Sequence, residues 1–262
     1  MATGNDATGP DGPSTLVLLP TYQEAENVLH VLRRIRAAVP AATVLVIDDA
    51  SPDGTADLAE REGERTGMIE VLRRPCKDGL GSAYRAGARW ALENGFDVIV
   101  LIDADLSHDP DALPGLLSAM ADHDADLVLG SRYIPGGSIV DWPLSRRLLS
   151  SWGNTYVRLA LGLPIHDATT GYRIWRAAAI KEVLLDTEAE GYGFVIESNF
   201  RAARTGHRIV EVPIVFRERE RGRSKMSLQI IFEALRMVTV WAVQERAGRL
   251  RRRPAALDAG LP

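Results

Sequence analysis

From Thr15 onward, short uninterrupted apolar runs alternate with longer stretches in which apolar residues recur every three or four positions. Runs of the first kind suit strands covered on both faces, and those of the second suit amphipathic helices. Their alternation predicts an α/β fold, a mostly parallel sheet wound on both sides by helices. Thr15-Leu16-Val17-Leu18-Leu19 reads as a first strand ended by Pro20, and Val28, Leu29, Leu32, Ile35 and Val39 follow at helical spacing. Val44-Leu45-Val46-Ile47 reads as a second strand, residues 68–72 as a weaker third, Val98-Ile99-Val100-Leu101-Ile102 as a fourth and Leu127-Val128-Leu129 as a fifth. Helices are predicted over residues 82–92 and from Asp111 onward.

After Gly130 the alternation fades. A polar, glycine-rich loop over residues 134–140 leads to a helical stretch carrying Leu148, Leu149, Trp152, Tyr156 and Leu159. Residues 209–216 predict one more strand, with Pro213 arguing for a sheet edge because proline cannot donate to a ladder. The last predicted helix, residues 228–243, is apolar but interrupted by Gln229, Glu233, Arg236 and Thr239, with arginines on both flanks. Such a helix is too polar to span a bilayer and suits the interface of an anionic one. Packing on the core or in a dimer is the competing expectation. The domain reading is therefore a disordered tail over 1–14, a globular domain over 15–226, an amphipathic helix over 227–246, and a basic disordered tail over 247–262.

Composition narrows the options. The chain has 262 residues and a formal net charge of -4, which argues against a general nucleic-acid binder. That sign hides an asymmetry, because residues 217–225 hold five basic and two acidic side chains and residues 246–253 hold five arginines. A basic C-terminal third on an acidic body points to an anionic partner there. The single cysteine, Cys76, excludes an internal disulfide or a multi-cysteine metal site and fits a reducing compartment. Residues 1–14 lack the apolar stretch of a signal peptide, and no run approaches the roughly 20 apolar residues of a membrane span. The expected location is cytoplasmic, peripheral to the membrane.

The chemistry concentrates at strand ends. Asp48-Asp49 follows the second strand, Asp103-Ala104-Asp105 the fourth, and Gly130-Ser131-Arg132 the fifth. Open α/β sheets bind ligands beyond the carboxyl ends of their strands, so three strands deliver charged groups to one rim. One acidic pair after a strand is an ordinary cap or turn; three coincidences are not. Residues i and i+2 of an extended segment point the same way, so Asp103 and Asp105 can face one ligand. Hard cations such as Mg²⁺ or Mn²⁺ accept one or two protein carboxylates when a diphosphate supplies the remaining oxygens. Gly79-Leu80-Gly81-Ser82 opens a helix after a strand but lacks a Walker pattern, and reads as a tight turn.

Pro20-Thr21-Tyr22-Gln23-Glu24-Ala25-Glu26-Asn27, Asp48-Asp49-Ala50-Ser51-Pro52-Asp53-Gly54-Thr55 and Asp103-Ala104-Asp105-Leu106-Ser107-His108 resemble glycosyltransferase family 2, with its GT-A fold. Gly130-Ser131-Arg132-Tyr133, Asp167-Ala168-Thr169-Thr170-Gly171-Tyr172-Arg173 and Arg219-Glu220-Arg221-Gly222-Arg223-Ser224-Lys225 make the chain most similar within it to polyprenol (dolichol) phosphate mannose synthases. The resemblance runs from Thr15 to about Glu245. It implies that Pro20, Tyr22, Glu24, Ile47 and Asp49 line the base and ribose pocket, and that Asp103, Ala104 and Asp105 meet diphosphate and metal. Arg132, Arg173, Arg219 and Lys225 would hold phosphates and sugar, with Asp105, Arg132 and Arg219 closest to the chemistry. Ser107 stands where some relatives have a metal-binding Gln, and is carried as a third metal ligand. The activity implied is inverting transfer of mannose from GDP-mannose to a polyprenyl monophosphate at the cytoplasmic membrane surface; glucose or another sugar is the alternative. The resemblance leaves room for a separate integral-membrane partner.

Two other classes share the acidic strand ends or the winding. A receiver-type signalling domain needs about half this length and no use for Asp105, and a nicotinamide-dependent oxidoreductase needs a G-x-G-x-x-G where this chain has Pro20-Thr21-Tyr22.

Overall fold

The computed structural model describes residues 12–218 and 228–252. Its core is a seven-stranded sheet in the order β3 (Ile69–Arg73), β2 (Thr43–Asp48), β1 (Thr15–Thr21), β4 (Val98–Leu101), β7 (Arg173–Arg176), β5 (Leu127–Ser131), β8 (Ile209–Pro213). The predicted strands appear as β1, β2, β3, β4, β5 and β8. Pro213 does sit on an edge strand, paired with Ser131. Among these six, the neighbouring pairs are all parallel. Side chains of alternate residues enter opposite layers: Leu16, Leu18, Leu45 and Ile47 face one core, Val17, Leu19, Val44 and Val46 the other.

α1 (Val28–Ala38), α3 (Leu80–Glu93) and α4 (Leu113–Asp122) connect the first strands as expected, a short 3-10 turn over Pro110–Ala112 preceding α4, and α2 (Thr55–Thr66) adds a helix that the periodicity does not predict between β2 and β3. The second half departs from the expectation. β7 (Arg173–Arg176) inserts between β4 and β5, antiparallel to both. Arg173 pairs with Leu101 on one side and Leu129 on the other, so the segment that precedes β7 arrives at the carboxyl rim. Two strands of two residues, β6 (Ser138–Ile139) and β9 (Val215–Phe216), form a separate parallel ribbon. α6 (Ala177–Val183) and α7 (Gly191–Thr205) were not legible from periodicity.

α5 (Leu144–Leu161) and α8 (Leu228–Arg252) pack side by side. α8 extends through Arg252, past the predicted start of a disordered tail. Val238 and Ala242 are buried, Trp241 stacks on Phe200 with centroids 6.4 Å apart, and Tyr156 shares a 2.7 Å hydrogen bond with Thr239. The helix thus packs on the core as one expectation had it, while Phe232, Val240 and Val243 remain exposed. More of the exposed apolar surface lies on α5, at Leu144, Leu148, Leu149, Trp152 and Leu159. Among the described residues no helix is long and apolar enough to cross a membrane.

Candidate active site

The carboxyl rim opens into a cleft of about 520 Å³. Pro20, Tyr22, Glu24, Asp49, Asp103, Ala104, Asp105, Ser107 and Arg132 all line it, so the sheet gathers most of the predicted site. Backbone strain marks the loops that do this. Gln23, Ala50 and Leu106 hold φ of 58°, 55° and 60°, each within a few residues of the end of β1, β2 or β4. Left-handed backbone at a non-glycine residue costs on the order of 1 kcal/mol and persists where surrounding structure over-determines it, typically at functional loops.

The two residues of the first acidic pair divide their work. Asp48 is internal: it accepts from the Thr21 hydroxyl at 3.0 Å and from the Ser51 amide at 2.9 Å, closing the turn. Asp49 faces the cleft and is held at 2.6 Å by Arg74, which also reaches the Ser82 hydroxyl at 2.7 Å. Burial pushes the Asp49 carboxyl above its usual range, against the pull of Arg74. Lys77 lies 4.0 Å over the Tyr22 ring, a cation–π pair on the same wall. Ile47 is different from the expectation. Its side chain is fully buried against Gly87 of α3, so it supports the pocket from below rather than lining it.

At the end of β4, Asp103 receives the Tyr84 hydroxyl at 3.4 Å, and burial raises the Tyr84 pKa well above the ordinary tyrosine value. His108 sits 3.6 Å from Asp103 Oδ2, buried between the rings of Tyr172 and Phe216. Burial lowers its pKa to about 4, so it is neutral at pH 7 and forms part of the wall. Asp105 Oδ1 accepts from the Ser107 amide at 3.0 Å, and the Ser107 carbonyl accepts from the Arg217 amide at 3.1 Å. The Ser107 carbonyl keeps a second lone pair, so its hydroxyl and its carbonyl both remain oxygen donors beside the acidic pair. No cluster of three His, Cys, Asp or Glu side chains suited to a metal occurs among the described residues. The pair Asp103 and Asp105 fits an ion that completes its shell with diphosphate oxygens.

Arg132 is gripped by the fully buried Asp167, whose Oδ2 accepts from its amide at 3.0 Å and its Nε at 2.7 Å while Oδ1 accepts from Nη2 at 2.7 Å. Thr169 adds a 2.9 Å bond to the same Nη2. Arg173 departs from the expected phosphate contact. It is fully buried, bonds the Ser198 hydroxyl at 2.5 Å, lies over the Phe194 ring, and burial lowers its pKa to about 10. Asp103 contributes a nearby negative charge to it, so Arg173 acts on the acidic loop from beneath the floor. Arg219 and Lys225 lie outside the described residues.

The Gly79 turn is no open phosphate loop. The Glu190 carboxylate lies against Gly79 and Gly81, accepts from the Ser82 amide at 3.2 Å and pairs with Arg85. Sequence reasoning also missed Arg74, Lys77, Trp142 and Arg146. The first two follow the end of β3, where the strand-end logic could have found them. Arg146 stacks 3.9 Å over Trp142 and binds Glu218 through both carboxylate oxygens, at 2.9 and 2.6 Å. Trp142 and Arg146 stand where the polar cleft meets a second, apolar cavity of about 100 Å³ between α5 and α8, walled by Leu149, Trp152, Val157, Ile196, Leu235 and Val238.

The family model for glycosyl transferase family 2 matches residues 16–184. The chain is 52% identical over 239 residues to an undecaprenyl-phosphate mannosyltransferase of Micrococcus luteus, covering 91% of this chain and 98% of that one. It is 45% identical to a polyprenol monophosphomannose synthase of Mycolicibacterium smegmatis, covering 90% of each. Its fold resembles that of a mannosyltransferase from Pyrobaculum calidifontis solved with GDP-mannose and Mn²⁺, at TM-score 0.54 and 16% identity, over 94% of this chain and 77% of that one. With the matched segment spanning the cleft loops of β1, β2, β4 and β5, the chain belongs to glycosyl transferase family 2.

Proposed function

We propose that this protein transfers mannose, with inversion, from GDP-mannose to a polyprenyl monophosphate at a membrane surface. The observation that carries the reading is the junction of two cavities of opposite character, a charged cleft opening at Trp142 and Arg146 into an apolar groove. A lipid monophosphate needs both, one for its headgroup and one for its first apolar units. The names of the two relatives support mannose and the polyprenyl acceptor, and the GDP-mannose complex of the structural neighbour agrees with the donor.

Asp49, Tyr22 and Glu24 take the nucleoside side, and Asp103 and Asp105 hold Mg²⁺ or Mn²⁺ with the diphosphate. Bound there, the ion supplies positive charge that stabilises the departing diphosphate. An acceptor phosphate monoester has a second pKa of about 6 and is already dianionic near neutral pH, so no residue need remove a proton. The chain's task is to bring two anions together. Arg132 presents a fixed guanidinium at the cleft wall, Arg146 presents another beside the groove, and guanidinium forks match phosphate oxygens. Arg219 and Lys225 add positive charge from the basic segment.

A panel of nucleotide sugars offered with a short polyprenyl phosphate and Mn²⁺ tests this. Mannolipid formed from GDP-mannose in preference to other donors is the expected result. A product carrying glucose, or transfer only to a non-phosphorylated acceptor, would replace the reading.

A further inference from the structure

A carboxylate outside the cleft stands behind the groups that hold Arg132. Glu211 stands on the edge strand β8, opposite Leu129 of β5, with its side chain about one-tenth exposed. One oxygen accepts from the Ser131 hydroxyl at 2.7 Å and the Asp167 amide at 2.9 Å. The other accepts from the His166 amide at 2.8 Å and lies 2.9 Å from His166 Nδ1. Ser131 and Asp167 flank Arg132 on its two sides: the first precedes it in the chain and the second binds its backbone and guanidinium.

We propose that Glu211 is a positioning residue that acts through Asp167 to set the reach of Arg132 into the cleft. The argument is geometric. Ser131 and the 166–167 turn come from segments 35 residues apart, and no main-chain ladder joins β5 to that turn. Beside the Arg132–Asp167 bonds themselves, Glu211 ties the two segments. A neutral backbone turn alone leaves Asp167 able to shift, and a carboxylate holding both sides fixes the distance between Asp167 and the strand that carries Arg132. The network is charge-assisted, which makes its bonds shorter and stronger than neutral ones. His166 is half-exposed and ends the chain of contacts at the surface. None of this depends on which sugar is transferred, although the consequence for turnover rests on the proposed role of Arg132.

The test is a double-mutant cycle. Glu211→Gln keeps the length but turns an NH₂ group toward donors, so the turn loses part of its hold. Misplacing a catalytic group by about 1 Å costs on the order of 100-fold, so kcat is expected to fall about 10- to 100-fold with KM for the nucleotide sugar nearly unchanged. His166→Ala keeps the backbone bond and is expected to leave turnover within about twofold. In an Arg132→Lys background, Glu211→Gln should cost little more, because the fork it positions is gone. Should Glu211→Gln not fold, Glu211→Asp keeps the charge while withdrawing it, and the same cycle is read with that variant. Additive losses would overturn the proposal and leave Glu211 a support of the fold. Wild-type protein that transfers a sugar other than mannose would end the mannose reading while the cycle is run with the active donor. Protein that transfers none has the reach of Arg132 read directly in a crystal structure of Glu211→Gln, where a guanidinium that keeps its wild-type place overturns the proposal.

Discussion

The outward stripe of α5 gives the sharpest prediction for membrane docking. Leu144, Leu148 and Leu159 are 69%, 62% and 68% exposed and line neither the cleft nor the apolar groove. Complete burial of a leucine side chain is worth about 1.5–3 kcal/mol, so inserting these exposed portions contributes about 1–2 kcal/mol each. Three fully inserted leucines would give about 3–6 kcal/mol, and a half-inserted stripe about 1.5–3, or roughly 10- to 150-fold in partition coefficient. The perturbation is Leu144→Gln, Leu148→Gln and Leu159→Gln together, which removes apolar area without changing net charge. Flotation with anionic vesicles should show at least about a tenfold loss of binding. Turnover should fall with long-chain polyprenyl phosphate embedded in vesicles and stay at the wild-type rate with a short soluble acceptor. Flotation equal to wild type would refute the reasoning. Equal loss on both acceptors would show instead that the leucines serve the fold, and a monomer formed from a wild-type dimer would assign the stripe to a second copy of the chain.

Three further outcomes follow from the site. Asp105→Asn preserves shape and removes a charged ligand, so turnover with Mn²⁺ should fall by on the order of 100-fold while thermal unfolding is unchanged; full activity of this variant in excess chelator contradicts the metal assignment. A Cβ at Gly137 would meet the Ser131 carbonyl oxygen at 2.6 Å and the Arg132 carbonyl carbon at 2.9 Å, both backbone. Gly137→Ala should therefore displace the Arg132 strand end and slow turnover at least about tenfold, and a wild-type rate would show that the loop yields instead. Burial holds the His108 pKa near 4, whereas the unfolded chain takes up a proton at about 6.5. The unfolded state thus binds more protons between those values, so this group's contribution to stability is present above pH 6.5 and is lost as pH falls toward 4. Urea midpoints at pH 7 and pH 5 should differ less in His108→Asn than in wild type, and identical differences would count against a buried neutral imidazole.

How far the sequence reached depends on what drives each element. β1, β2, β4 and β5 are buried on both faces by apolar side chains, so their runs and the charged residues just beyond them are legible in the sequence. β7 is not, because Arg173-Ile174-Trp175-Arg176 offers two apolar residues between two arginines. α7 is not, because its buried side includes Glu197, Ser198 and Asn199 beside Phe194, Val195 and Ile196. The resemblance puts Ile47 in the pocket wall, but strand alternation sends it into the same core as Leu45. The resemblance puts Arg173 at phosphate, where guanidinium forks suit the oxygens; an antiparallel strand between two parallel ones instead carries it into the interior.

Those unread elements share one task. Glu197 accepts from the Glu188 and Ala189 amides, Ser198 takes the Arg173 guanidinium, and Asn199 donates to the Ala168 carbonyl at 3.0 Å. Each bond ties a residue buried in α7 to the segments that complete the rim after β5. Each of these groups has at least one partner, although Arg173 Nε and Nη2 and Asn199 Oδ1 have none among the described residues, and a buried polar atom left unpaired costs about 1–3 kcal/mol. The first half of the cleft is thus placed by hydrophobic strands whose period shows in the sequence. The second half is placed by polar pairs spanning 8 to 35 residues, which leave no period at all. Arg132 is where the two halves meet: its position in the chain follows from an apolar strand, and its orientation from Asp167, a residue that only the fold brings to it.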